Sequence, residues 1–340
     1  MLVPRTLFFL SVAILLFTVW FGWETRGRSL APQPRPDGEQ PMLGPTFAPA
    51  QSPAITGVAA HQRSISDETA TNLAPFTDAD FEKRVADLKQ RYPDPELVFL
   101  IEKPFIVVGN EAPETVKKRA SNTVKWAVKR LKSQYFAKDP NQIVVIWLMK
   151  DAESYQQRCL EIVKYKPTTP YGFYSPANQV LMMNISTGGG TLVHEIVHPF
   201  VEANFPQCPA WFNEGLASLY EQSSSNENGK IVGLTNWRLA GLQRAIIDQQ
   251  VDSFETLCST TSQEFYGQRS GVRYAQARYL CYYLQQIGKL DTYYQQFCQN
   301  VGKDPSGYTT LVQVLDTDEM ESFQEDWQSY VLRLRFPGTP

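Results

Sequence analysis

The sequence predicts an α+β fold, with a small mixed β-sheet lobe (residues 76–190) followed by an all-helical C-terminal lobe (residues 191–340). In the first lobe, short apolar runs typical of strands alternate with amphipathic helical segments. From Thr191 onward, nearly every apolar pattern has the helical period. At 340 residues and 43% hydrophobic, the chain can bury one substantial core, or two smaller ones behind a shared cleft.

The N-terminal segment, residues 1–23, decides the expected compartment. Arg5 precedes an uncharged apolar stretch over residues 7–23. This length is short for a membrane-spanning helix and long for the core of a signal peptide, so both an uncleaved anchor and a removed signal peptide stay open. In either case we expect the large C-terminal part outside the cytoplasm, on a single-pass membrane tether or secreted.

Residues 24–75 predict a disordered tether. Seven prolines interrupt it between Pro32 and Pro53, and Ser, Gln, Ala and Gly fill much of the rest. Such a segment has too little apolar surface to offset the entropy of ordering. It would space the folded part from the membrane.

The sheet lobe begins with a helix over residues 77–92, where Thr77 is a capping residue and Pro93 ends the pattern. The segments that follow alternate in type. Strands are predicted at 105–108, 143–149 and 179–185, and helices at 114–136 and 152–165.

The C-terminal lobe is predicted to be helical throughout. Its helices are expected at 191–204, 210–222, 236–249, 270–286, 290–300 and 318–334. The chemistry is expected where the two lobes meet.

Charge and cysteines narrow the possible functions. A formal net charge of −3, with basic residues scattered among acids, argues against a nucleic-acid partner. None of the five cysteines has the C-x-x-C spacing of a thiolate zinc site. Cys281 and Cys298 are placed so that a disulfide could join two consecutive helices, and the odd count leaves at least one cysteine unpaired.

Two of the three histidines form the motif HEIVH, residues 194–198. Histidines four apart lie about 6 Å apart along one helix face, which suits two imidazoles converging on one Zn²⁺. Glu195 is turned aside from that face. It can therefore reach a metal-bound water as a general base without displacing a ligand.

A site of this class needs a third protein ligand and an open fourth position. Residues 206–209, PQCP, break the chain before a second predicted helix. If the two helices fold back on each other, Glu214 is carried next to the histidine pair. Glu202 still lies on the first helix, and Glu221 lies two turns beyond Glu214, so Glu214 is the predicted third ligand.

The run HEIVH followed by WFNEGLASLYE (residues 211–221) resembles the gluzincin zinc metallopeptidases. The second block is similar to that of aminopeptidase N-type enzymes, and the wider pattern over residues 171–222 resembles exported peptidase MA-like proteins. The resemblance implies a zincin-type catalytic domain in which His194, His198 and Glu214 hold zinc and Glu195 is the base. It also implies that residues 179–185 are the edge strand that binds an extended peptide.

An oxyanion-stabilising residue is also expected from the resemblance. Tyr274, in the segment RYAQA, is similar to the tyrosine that serves this purpose in aminopeptidase N-type enzymes, although Gln276 and Ala277 differ from their pattern. A purely structural tyrosine stays an alternative, with Tyr266, Arg269 and Arg273 as rivals. No element that would bind a substrate's free amino terminus precedes HEIVH.

The predicted function is hydrolysis of peptide bonds outside the cytoplasm by one zinc ion. The expected partners are a peptide or protein substrate and, through the N-terminal helix, the membrane. The alternative is a catalytically inactive zinc-binding domain that recognises peptides or cell-envelope partners. Two further possibilities are a scaffold that binds no metal and in which HEIVH is coincidental, and a zinc hydrolase that acts on something other than peptides.

Overall fold

The computed structural model describes residues 76–336 of the chain. The predicted anchor or signal peptide (1–23) and the predicted tether (24–75) lie outside the described residues. Within 76–336, no helix combines the length and the apolarity that crossing a bilayer requires.

A five-stranded mixed sheet forms the centre of the sheet lobe and confirms the α+β class. Its strand order is β1-β2-β3-β5-β4. The three inner strands run parallel, and each outer strand pairs antiparallel with its neighbour. The strands are β1 (Val98–Glu102), β2 (Phe105–Gly109), β3 (Val144–Met149), β4 (Gly172–Ser175) and β5 (Val180–Asn184).

The expectation that residues 179–185 form the edge strand is wrong. These residues form β5, which lies between β3 and β4. The edge is β4, a four-residue strand between Pro170 and Pro176 that carries too little period-two pattern to be recognised in the sequence. The other outer strand, β1, is also absent from the sequence prediction.

Helices cover both faces of the sheet. On one face lie α1 (Asp78–Arg91) and α4 (Ala152–Ile162), and each begins at a side-chain capping box, from Thr77 and Asp151. The other face is covered by the predicted long helix, which appears as α2 (Pro113–Arg119), a π-helical segment (Ala120–Lys125) and α3 (Trp126–Gln134).

The C-terminal part is mainly helical, and all six predicted helices are present. Three further helices, Phe254–Cys258, Ser262–Phe265 and Tyr308–Leu315, are not predicted from the sequence because each is too short to show a clear helical period. The helices are α5 (Gly190–Asn204), α6 (Ala210–Leu219), α7 (Arg238–Ile247), α8 (Phe254–Cys258), α9 (Ser262–Phe265), α10 (Ser270–Gln286), α11 (Leu290–Asn300), α12 (Tyr308–Leu315) and α13 (Met320–Arg333).

The prediction of an all-helical C-terminal lobe is wrong in one place. The strands β6 (Ser223–Ser225) and β7 (Ile231–Gly233) form an antiparallel hairpin. Three serines give β6 little strand propensity. The hairpin is instead set by its turn, where Gly229 has a φ of 73° and the Asn226 side chain accepts a hydrogen bond from the Lys230 amide.

One hydrophobic core continues from the sheet into the helices and fixes the position of α5. Phe200, on α5, is fully buried and packs edge-on to Phe105 of β2, with ring centroids 5.8 Å apart. On its other side it stacks on Phe136, at 5.4 Å. The helix that carries the HEIVH motif is therefore the one that joins the sheet to the helical part.

All five cysteines lie within residues 76–336, and all are free thiols. The bridge between Cys281 and Cys298 that the sequence allowed is not formed. Cys281 is buried in the helical core, and burial raises the pKa of its thiol, which makes it a poor nucleophile.

Candidate metal centre

The helices α5 and α6 form an antiparallel hairpin. A Cβ on Gly190, the first residue of α5, would lie 2.2 Å from the carbonyl oxygen of Glu221, which follows the end of α6. The start of α5 therefore touches the chain just past α6, and only glycine permits this approach. Five residues join the two helices, so their facing sides are brought together as the sequence analysis expects.

The hairpin brings the side chains of His194, His198 and Glu214 into one group. Their candidate ligand atoms all lie within 4.8 Å of one another. Glu214 Oε2 is 3.2 Å from His194 Nε2 and 3.9 Å from His198 Nε2. The three side chains can hold a single metal ion.

An unsatisfied atom supports a metal at this position. Glu214 Oε2 is buried and makes no hydrogen bond with any residue in the range 76–336, although it lies close to the His194 ring. A buried carboxylate oxygen without a partner is costly, and a cation placed among the two imidazoles would satisfy it. Two imidazoles and one carboxylate form a donor set that zinc accepts.

The outward-facing nitrogens of both imidazoles have partners. His198 Nδ1 lies 3.0 Å from Asn213 Oδ1, and His194 Nδ1 lies 3.3 Å from Glu221 Oε1. Such contacts orient the ring and direct the Nε2 lone pair of each histidine to the same point. Ser218 Oγ adds a contact of 3.5 Å to His194 Nδ1.

Glu221 is itself held from two sides. The Arg238 guanidinium donates to both carboxylate oxygens, at 2.8 and 2.7 Å. The Asn236 side-chain amide donates to Oε2 at 2.9 Å. Burial opposes ionisation, but Arg238 and His194 together hold the pKa of the Glu221 carboxyl far below its usual range.

From the sequence, Glu221 was expected only as a rival ligand to Glu214, and Asn213 had no predicted role. Both are positioning residues for the histidines. The sequence contained a clue to these roles. Asn213 adjoins Glu214, and Glu221 lies two turns further on, so the second predicted helix (210–222) carries three polar side chains that can reach the same pair of imidazoles.

Mutual electrostatics govern the metal-free site. Burial favours a neutral imidazole, yet the adjacent Glu214 and Glu221 carboxylates, 3.2 and 3.3 Å from its ring nitrogens, raise the pKa of His194 to about 10. Burial likewise opposes ionisation of Glu214, yet the two histidines and the Tyr266 hydroxyl lower its pKa to about 2. Without metal, His194 is therefore protonated at neutral pH and lies between the ionised carboxylates of Glu214 and Glu221.

Glu195 lies beside the ligand group without belonging to it. Its Oε2 is 3.9 Å from His198 Nε2, and burial raises the pKa of its carboxyl, while the Tyr174 backbone N–H donates to it and opposes that rise. Pro199, one turn later in α5, has no N–H to offer the Glu195 carbonyl.

Tyr274 and its three rivals differ in their surroundings. The Tyr274 ring lies 6.2 Å from that of Tyr266 and faces the Arg238 guanidinium at 5.3 Å. The Tyr266 hydroxyl donates a 2.8 Å hydrogen bond to Glu214 Oε1. Arg269 and Arg273 are committed to ion pairs with Asp252, at 2.7 and 2.9 Å, which leaves the two tyrosines beside the centre.

The centre keeps limited access to solvent. Between 8% and 12% of each side chain remains exposed for His194, Glu195, His198 and Glu214. The edge strand β4 lies next to Glu195, because the Tyr174 backbone N–H interacts with the Glu195 carboxylate.

No protein-family model matches the chain, and a search of curated proteins finds no significant relative.

Proposed function

We propose that the chain is a zinc-dependent metallohydrolase of the gluzincin type that cleaves peptide bonds outside the cytoplasm. The proposal is carried by one observation, the convergence of His194 Nε2, His198 Nε2 and the unsatisfied Glu214 Oε2. The resemblance of residues 194–198 and 211–221 to the gluzincins supports the same assignment.

Zinc bound by these residues would supply Lewis acidity, which polarises a carbonyl and makes water nucleophilic at neutral pH. Glu195 accepts the proton of the attacking water and then donates it to the leaving amine nitrogen. Its burial suits both steps, because a carboxyl with a raised pKa holds and releases a proton closer to neutral pH.

The substrate proposed is an extended peptide added to the outer edge of β4. The Asn184 backbone N–H donates to the Tyr171 carbonyl. Because backbone groups alternate along an antiparallel pair, the N–H and C=O groups of Phe173 and Ser175 also point toward β5. The backbone groups of Gly172 and Tyr174 then face outward, beside Glu195. Strand addition at this edge would bring a peptide carbonyl to the metal centre.

Tyr274 is proposed to stabilise the oxyanion of the tetrahedral intermediate. It is one of the two tyrosines beside the centre, and no hydrogen bond within residues 76–336 occupies its hydroxyl. Tyr266, in contrast, already donates its proton to Glu214.

The test measures zinc stoichiometry and cleavage of a peptide library with the full-length protein. We expect one zinc per chain and cleavage that a chelator abolishes. Glu195→Gln should keep the zinc and lose about 10²–10⁴-fold in turnover, because only the proton transfer is removed. His194→Ala should lose both zinc and turnover.

Three outcomes would contradict the proposal in different ways. Hydrolysis that persists undiminished in Glu195→Gln would show that Glu195 is not the base. Stoichiometric zinc without cleavage of any peptide would favour the inactive peptide-recognition domain. If the protein bound no zinc, both the metallohydrolase and the zinc-binding recognition domain would be excluded.

A further inference from the structure

The two oxygens of Glu214 have different surroundings. Oε1 accepts a 2.8 Å hydrogen bond from the Tyr266 hydroxyl. Oε2 has no hydrogen bond to the part of the chain that the structure describes, and it lies 3.2 and 3.9 Å from the Nε2 atoms of His194 and His198. One oxygen of this carboxylate is thus occupied, and only the other is available to a cation.

Tyr266 is fixed by the chain around it. It follows α9, which begins at a capping box between Thr261 and Glu264. The preceding Phe265 is fully buried, and its ring centroid lies 5.4 Å from that of Tyr266 and 5.1 Å from that of Tyr274. The hydroxyl is therefore anchored by packing and does not depend on Glu214 for its position.

A buried ion-pair group holds the same segment. Asp252 accepts hydrogen bonds from Arg269 and Arg273, and the Arg273 guanidinium also donates to the Glu264 carbonyl in α9. Asp252 is only 8% exposed and Arg273 14%, so their contact is largely shielded from water, whereas Arg269 is 44% exposed. The segment around Tyr266 is therefore joined to α10 directly by the bond from Arg273 to Glu264, and indirectly by Asp252, which binds both Arg269 and Arg273.

A carboxylate can bind a metal through one oxygen or through both, and each oxygen used takes up coordination space. We propose that Tyr266 makes Glu214 a one-oxygen ligand and thereby keeps the remaining coordination position open for water or substrate. This inference rests on the metal site of the proposed function, but it assigns Tyr266 a positioning role that is separate from proton transfer and from oxyanion stabilisation.

Cobalt(II) substitution in the full-length protein tests the inference without measuring activity. Four-coordinate cobalt has intense visible bands because the site lacks a centre of symmetry, and a fifth ligand weakens them. We expect intense bands in the wild type. In Tyr266→Phe, the freed Oε1 should join the metal, so the absorptivity should fall, while cobalt affinity should change by no more than about 10–100-fold.

Tyr274→Phe is the matched control, since it removes a neighbouring hydroxyl that makes no hydrogen bond to Glu214 within the described residues. Its cobalt spectrum should match the wild type. Identical spectra in wild type and Tyr266→Phe would overturn the inference, as would an equal change in both variants. Absence of cobalt binding in the wild type would instead remove the metal site itself, and with it the proposed function.

A measurement on the unaltered protein covers the case in which Tyr266→Phe does not fold. X-ray absorption of the zinc-loaded wild type should give four light-atom ligands at about 2.0–2.1 Å. Five ligands, with a second and longer carboxylate oxygen from the protein, would overturn the inference.

Discussion

Apolar packing covers both faces of the sheet, but within residues 76–336 only one face also has buried histidine and glutamate side chains beside it. The face beneath α1 and α4 packs apolar side chains together, with Met182 fully buried and Trp147 set edge-on to Tyr92 at 5.1 Å. On the other side, α5 and α6 also carry three buried ionisable groups, His194, Glu195 and Glu214, together with the partly buried His198. The Glu221–Arg238 ion pair lies next to them. The first region contributes stability through area removed from water. In the second region, a buried charge lowers stability unless it is paired, so its contribution depends on the protonation and metal state of its neighbours.

This contrast shows where environment should matter. Apolar packing carries no charge, so its contribution to the free energy of unfolding should be the same with or without metal and across the neutral pH range. The metal centre should respond to both conditions. Four predictions, from the largest expected effect to the smallest, test this separation.

The first prediction concerns the apolar region. Met182→Ala should lower the free energy of unfolding by about 2–5 kcal/mol, because it removes a buried side chain from an inner strand and leaves a cavity. Urea unfolding should show the same loss in zinc and in chelator. A loss that doubles on removing zinc would mean that the two faces are energetically coupled.

The second prediction concerns Glu221. Glu221→Gln should weaken zinc binding by about 10–100-fold, because His194 loses the carboxylate that orients its ring and supports its basicity. Competition with a chromophoric chelator measures the affinity. Glu227→Gln is the control. It changes an exposed glutamate in the turn between β6 and β7 and should leave the zinc affinity unchanged.

The third prediction concerns pH. Because the pKa of His194 rises from 6.5 to about 10 on folding without metal, its contribution to stability is complete below pH 6.5 and is lost as pH rises through 10. The metal-free protein should therefore lose stability over this window, by an amount that His194→Ala abolishes. Thermal unfolding at fixed ionic strength measures it.

The fourth prediction, proton release, follows from the same pKa. A metal ligand must be the neutral imidazole, so zinc binding at pH 8 should release about one proton from His194. Calorimetry in buffers of different ionisation enthalpy counts this proton. A count near zero would mean that His194 is already neutral in the metal-free protein.

Much of the site follows from the sequence because its parts lie on long, strongly patterned elements. The apolar run around HEIVH predicts α5, and the PQCP break predicts the turn that brings Glu214 back to His194 and His198. Local periodicity and one chain reversal suffice, so the amino-acid sequence alone is enough to predict that these three side chains converge.

The remaining features depend on contacts between distant segments. The hydrogen bond from Tyr266 to Glu214 spans 52 residues and is set by the short helix α9 and by Asp252. Such an arrangement leaves no periodic trace in the sequence. The edge position of β4 was likewise hidden, because strand order is decided by pairing across the sheet.

Gly190 has a mechanical consequence for the two helices that carry the ligands. Any larger residue there would drive its side chain into the Glu221 backbone and spread the base of the hairpin. The imidazoles and the carboxylate would then move apart although none of them had changed. A substitution of Gly190 would therefore be expected to impair metal binding as the loss of one of the three side chains would. Mutagenesis confined to the HEIVH motif and Glu214 would not detect this effect.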